Sequence, residues 1–176
     1  MTITELDPVG TGQFRALLRR QAATVTVVTA PADPDSGLPA AGFTATSFTS
    51  VSLEPPLVSF CLDRGSSSWP TVARAGYVAV HLLAETQQDV ARTFAVSGID
   101  RFAAHTGWQP GPYGVPLLHG VLTWLLCRVV DRLTAGDHSI VLAQPLTGSH
   151  GDDGAPLLYH QGAYAGLRTQ PAGAIR

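Results

Sequence analysis

The segment from Gly42 to Val58, GFTATSFTSVSLEPPLV, constrains the fold of this chain more than any other. Its aromatic and β-branched residues favour an extended strand. Pro55 and Pro56 after Glu54 end that strand, because neither can donate a ladder hydrogen bond and each holds its predecessor out of helical space. Side chains alternate along a strand, so Thr44, Thr46 and Phe48 share one face while Phe43, Ala45 and Ser47 share the other. Hydroxyls are therefore expected on both faces. A strand dense in small donors and closed by a fixed turn suits a polar, planar ligand.

Other stretches repeat the strand chemistry. Ala22 to Ala30 is rich in Val and Thr and stops at Pro31, and Asp33 to Gly37 is turn sequence that joins it to the hydroxyl-rich segment as a hairpin. Further strands are expected at Leu57 to Leu62, Tyr77 to Leu83, Val121 to Arg132, Ser139 to Leu146 and Leu157 to Leu167. Helices are fewer. Phe14, Leu17 and Leu18 share one side of a short amphipathic helix between Gly10 and Gln21, and Trp69-Pro70 opens a second helical segment. Thr86 to Asp89 resembles a capping box, with Val90, Ala91 and Phe94 as the buried face of the helix that follows. Ser97 to Tyr113 reads as a long irregular stretch. Strands joined mostly by hairpin-like turns predict a mainly β chain, an antiparallel β-barrel with a few peripheral helices.

At 176 residues and 45% hydrophobic content, one core is expected and two are not, so residues 1–176 read as a single domain with its core at about 12–168. Charged residues make up only 14% and the formal net charge is −2, which gives no general attraction to nucleic acid or to acidic membranes. Every one of the 11 basic residues is arginine. The absence of lysine excludes a P-loop, a lysine Schiff base and a lysine nucleophile. Cys61 and Cys127 form no metal or redox spacing. The opening MTITELD has no basic-then-apolar pattern, and the run Val121 to Val130 is short and holds Arg128, so a soluble, cytoplasmic protein is expected.

Ser66, Ser67 and Ser68 before Trp69-Pro70 are the second signal: hydroxyls and amides at a helix start suit a phosphate, with Arg64 to offset its charge. Ordinary helix capping needs only one of them. The six histidines show no metal-binding spacing. Asp137-His138-Ser139 is not a hydrolase triad, since neighbours on a strand point to opposite faces. Gly10-Thr-Gly12 lacks the third glycine and the preceding strand of a dinucleotide fingerprint, and Glu54, Asp63 and Asp89 are too dispersed for paired-carboxylate chemistry.

Taken in order, GFTATSFTSVSLEPPLVSFCL, SSSWP, Asp100-Arg101-Phe102, Gly114 to Pro116, CRVVDRLTAGDHSIVLA and PLLYHQGAY resemble the flavin reductase family over Phe14 to about Tyr164. These are the NAD(P)H-dependent reductase components of two-component monooxygenases. The resemblance implies an FMN-binding split β-barrel, antiparallel and Greek-key-like, that forms a homodimer. It implies FMN or FAD as flavin, NADH or NADPH as hydride donor, and a partner monooxygenase that receives reduced flavin. Thr44, Ala45, Thr46 and Ser47 would line the isoalloxazine, Cys61, Leu62 and Asp63 the ribityl chain, and Ser66, Ser67 and Ser68 the phosphate. His81, Leu82 and Leu83 would border the ring and Phe102 would close on it, with His138 near the nicotinamide and Tyr159 beside it. His81 stands where the family commonly has Asn, and a charge there would affect flavin near neutral pH. A flavin- or haem-binding split-barrel protein without turnover is the alternative. Hydride transfer needs orientation more than a strong base, which agrees with the absence of an acid–base constellation.

Overall fold

The computed structural model describes residues 7–151 and 153–167. The opening residues 1–6, part of the stretch in which no secretion signal is expected, lie outside them. Seven antiparallel strands form the main sheet in the order β3-β2-β6-β9-β10-β5-β4. They are β2 (Thr26–Ala30), β3 (Ala41–Ala45), β4 (Thr49–Leu53), β5 (Pro56–Asp63), β6 (Tyr77–Leu82), β9 (Thr123–Ala135) and β10 (His138–His150). A small sheet joins β1 (Ala23–Thr24), β11 (Leu157–His160) and β12 (Ala163–Gly166), and β7 (Trp108–Pro110) pairs with β8 (Pro116–Leu118). The helices are α1 (Thr11–Leu18), α2 (Trp69–Val72), α3 (Gln88–Ala95) and α4 (Arg101–Ala104). None is long and apolar enough to cross a membrane.

Alternation along the strands sorts the core into two layers. Val28, Phe43, Ala45, Val58, Phe60, Leu62, Val80, Cys127 and Val141 meet on one side of the sheet with Trp69 of α2 against them. On the other side Val25, Val27 and Leu83 pack with Ala91 and Phe94 of α3 and with Leu157. Arg132 of β9 reaches across to donate to the Val72 and Ala75 carbonyls at the end of α2. Burial holds the Cys127 thiol up at about 12, so it stays protonated and inert.

The hydroxyl-rich segment is two strands rather than one. β3 stops at Ala45, Thr46 to Phe48 turn, and β4 begins at Thr49, so Phe48 reaches the same core as Phe43 and Ala45. The turn is fastened by the Ser47 hydroxyl, which accepts the Cys61 N–H of β5 at 2.9 Å. The expected last strand is likewise a hairpin, β11 to β12, turned at Gln161-Gly162, where Gly162 has φ 86°. The irregular stretch contains α4 and β7. Asp100 Oδ1 starts α4 by accepting the Phe102 and Ala103 amides at 3.1 and 3.0 Å. The expected Thr86–Asp89 box is replaced by Gln87, whose Oε1 accepts the Ala84 N–H at 3.0 Å.

Candidate functional site

Of the residues Thr44 to Ser47, Thr46 and Ser47 lie exposed at the turn after β3. Thr44 faces α3 and donates to the Ala91 carbonyl at 2.6 Å, while the Ala45 side chain is buried in the core. Ser47 holds its edge against Cys61, which is half-buried next to buried Leu62. One register step along, Asp63 of β5 pairs with His138 of β10. Asp63 Oδ1 accepts the Gly65 amide at 2.7 Å, and His138 Nδ1 lies 2.7 Å from Asp137 Oδ1. That hydrogen bond holds the Asp137 carboxyl below the usual carboxylate range. Thr46, Ser47, Cys61, Asp63 and His138 thus form one polar strip along the β3–β4 turn and the β5–β10 pair.

Beyond Asp63 the chain turns through the serines. Ser68 is fully buried and donates to the Gly42 carbonyl at 3.0 Å, and Ser66 Oγ accepts the Ser68 amide at 3.3 Å. Ser67 is exposed, and its oxygen receives the Gly98 amide at 3.1 Å and Arg101 Nη2 at 3.2 Å, with the Ser97 hydroxyl also at 3.2 Å. Arg101 Nη1 donates to Ser68 Oγ at 3.2 Å. The residue is only 8% exposed, its Nε is buried with no partner, and no carboxylate pairs with it among the described residues. Desolvation lowers its pKa accordingly. A guanidinium buried this way, beside donors crowded on one hydroxyl, lacks an anion. The sequence reading assigned the basic role here to Arg64, whose guanidinium instead donates to the Gly136 carbonyl.

Arg101 and Ser67 open onto a cavity of about 520 Å³ that Phe102 and Trp108 also line. Phe102 packs edge-on against Phe94 and Trp108, at ring distances of 5.4 and 5.2 Å. A second cavity, of about 540 Å³, lies between Ala84 to Thr86, Leu117 to Leu122 and His150. It contains none of the expected site residues, and no group of metal-ligating side chains is found among the described residues.

Four further expected residues, His81, Leu82, Leu83 and Tyr159, are not brought to this strip. His81 is fully buried on the opposite side of β6: its Nδ1 lies 3.0 Å from the Val27 carbonyl and its Nε2 accepts the Leu118 amide at 3.1 Å. Both nitrogens are used, as the Nδ1–H tautomer requires. Burial pushes its pKa down to about 4 against the pull of Val27, so it is neutral near neutral pH and the expected charge effect on flavin is withdrawn. Leu83 belongs to the α3 side of the core, with Leu82 half-buried beside it. Tyr159 stands on the small sheet, edge-on to Tyr164 at 5.5 Å.

The family model described as a flavin reductase like domain matches residues 18–168. The chain belongs to the flavin reductase family. Within it, the chain is 45% identical over 167 residues to an NADH:FMN oxidoreductase of Rhodococcus qingshengii, an alignment covering 92% of this chain and 83% of that one. It is 36% identical to HsaB, the reductase subunit of a flavin-dependent monooxygenase of Rhodococcus jostii, over 91% of this chain and 81% of the relative. Among solved structures it superposes with a TM-score of 0.82 on the NADH:FAD oxidoreductase SgcE6 of Streptomyces globisporus, solved with NAD and FAD fragments. That match has 32% identity and covers 96% and 99% of the two chains. Arg101 with the serine hydroxyls makes a cluster of donors of the kind that suits an anion.

Proposed function

We propose that this protein is an NAD(P)H:flavin oxidoreductase that reduces FMN or FAD with NADH or NADPH and supplies the reduced flavin to a partner monooxygenase. The observation that carries the reading is Arg101, a buried guanidinium with no counter-anion at the serine turn. Its guanidinium, with the Ser66 and Ser67 hydroxyls, would hold a flavin phosphate and fix the register of the rest of the molecule along the strip. A bound flavin supplies the hydride chemistry itself. Thr46 and Ser47 present donors to the polar edge of the ring, Cys61 and Asp63 border the chain between ring and phosphate, and Phe102 closes one side. His138, on the Asp63 register step, orients the nicotinamide end of the donor. No side chain in the strip serves as nucleophile or strong base, and none is needed.

We also infer a single domain, coiled as a split barrel through the Ser47–Cys61 link, acting as a homodimer in the cytoplasm. The outer face of β4, β5, β10 and β9 supports the dimer: Val51, Val130 and Leu133 are each about half exposed there. The names of the relatives support nicotinamide as donor and an oxygenase as recipient.

The test is nicotinamide oxidation by purified protein with and without added FMN or FAD. Oxidation that depends on flavin is expected, and Arg101→Met raises the flavin dissociation constant about 10- to 100-fold, the worth of a charge-assisted contact. Oxidation without flavin, or none with either nucleotide, overturns the assignment.

A further inference from the structure

The cavity beside the phosphate anchor is larger than a phosphate needs. Ser67 and Arg101 stand on the wall of this space of about 520 Å³, so a phosphate held there takes only part of it. That volume lies within the ~300–1,000 Å³ of cavities that enclose a cofactor-sized group. Its lining changes character away from the arginine. Leu38, Pro39, Ile99, Phe102 and Trp108 make it apolar, with two aromatic rings set edge to face. The Trp108 indole N–H is already spent on the Phe102 carbonyl at 3.2 Å, so the ring itself is what the cavity presents. At the rim, Asp100 caps α4 through Oδ1, and no hydrogen bond of the described residues uses its Oδ2. The cavity therefore combines a cation at one end, aromatic and aliphatic walls suited to stacking a flat base, and an acceptor for sugar hydroxyls.

Resting on the flavin reading above, we propose that this cavity is an adenosine subsite and that the protein takes FAD in preference to FMN. The adenosine diphosphate half of FAD continues from the phosphate anchored at Arg101 and Ser67, lays its base against Trp108 and Ile99, and offers its ribose to Asp100. FMN leaves the same space empty. The same adenosine diphosphate group also occurs in the nicotinamide dinucleotide, and the variants below separate the two sources.

Dissociation constants for FMN and FAD are measured by calorimetry on the full chain, without nucleotide. FAD is expected to bind about ten-fold or more tightly than FMN, as stacking one base contributes. Trp108→Ala should remove most of that advantage and leave FMN affinity unchanged. Because Trp108 also packs against Phe102, a second variant, Ile99→Trp, fills the cavity from a partly exposed loop position (Ile99 is 42% exposed) and should have the same effect. FMN and FAD affinities within two-fold of each other overturn the proposal while leaving the reductase reading intact. So does a pair of variants that raises the KM for NADH and spares FAD, which assigns the cavity to the hydride donor. Failure of both flavins to bind overturns the reductase reading itself.

Discussion

Arg101 and His81 are both buried titratable side chains, and they meet burial in opposite ways. Arg101 keeps its charge and leaves Nε without a partner; His81 gives up its charge and satisfies both nitrogens. The second choice has a pH signature. The unfolded chain binds a proton at His81 near pH 6.5, and the folded protein does not do so until about 4, so the unfolded state gains protons first as pH falls. Stability from this residue is fully present above the unfolded value and declines as pH falls toward the folded one. Chemical denaturation at about pH 7.5 and about pH 5 should differ by roughly 2 kcal/mol from this group, and His81→Asn should flatten that part of the curve. A slope unchanged by the substitution would remove His81 as its origin. The family resemblance set His81 beside the flavin ring, whereas it lies buried between β2 and β8. The resemblance did not reveal that β8, a strand of three residues between prolines and glycines, covers the His81 side. Arg101 was visible only as part of a family motif, because its lack of a counter-ion is a three-dimensional fact.

Among the elements, the contact of α3 with β3 sets the floor of the proposed phosphate region. Gly42 makes it possible: a Cβ there would lie 2.5 Å from Phe94 Cε1 and 3.3 Å from Phe102 Cζ, and the Gly42 carbonyl also receives Ser68. Gly42→Ala should therefore push α3 and α4 away from the sheet, lower stability by about 1–3 kcal/mol in thermal or chemical unfolding, and weaken flavin binding at the same time. Loss of stability with flavin affinity intact would separate the two. The core-facing runs of β2, β5 and β10 were readable from composition and alternation, since long apolar strands leave little choice. The break at Thr46 to Phe48 was not, because hydroxyl and aromatic residues alternate through it without a glycine or proline, and only the Ser47 bond to β5 shows why the chain turns.

At the scale of the whole molecule, two groups stand out among the exposed apolar residues. Val51, Leu53, Val130 and Leu133 lie on the strands of one end of the sheet, and Phe14, Leu17 and Leu18 lie on α1, which buries no residue of its own. A second copy covering the sheet face would bring its own strands beside Cys61 and His138. Light scattering on the purified protein should give twice the chain mass, and Leu133→Asp should halve it and lower flavin affinity, because a carboxylate at a dimer centre is costly to desolvate. A monomer in the unsubstituted protein would sink this arrangement. The mainly β, antiparallel build was legible from strands and turns, but the expected closed β-barrel is not seen among the described residues, whose strands form one seven-stranded sheet and two small ones.

Ser67 has a part to play when nothing is bound. Its oxygen collects the Gly98 amide and an Arg101 nitrogen, the same donors that a phosphate would claim. A reductase that gives its cargo away passes through a vacant state on every cycle. With a hydroxyl standing in as understudy, the departing anion is replaced by neutral partners already within reach, and the loop keeps its shape. If this loop holds the flavin phosphate as proposed, handover needs no rebuilding of the binding lip.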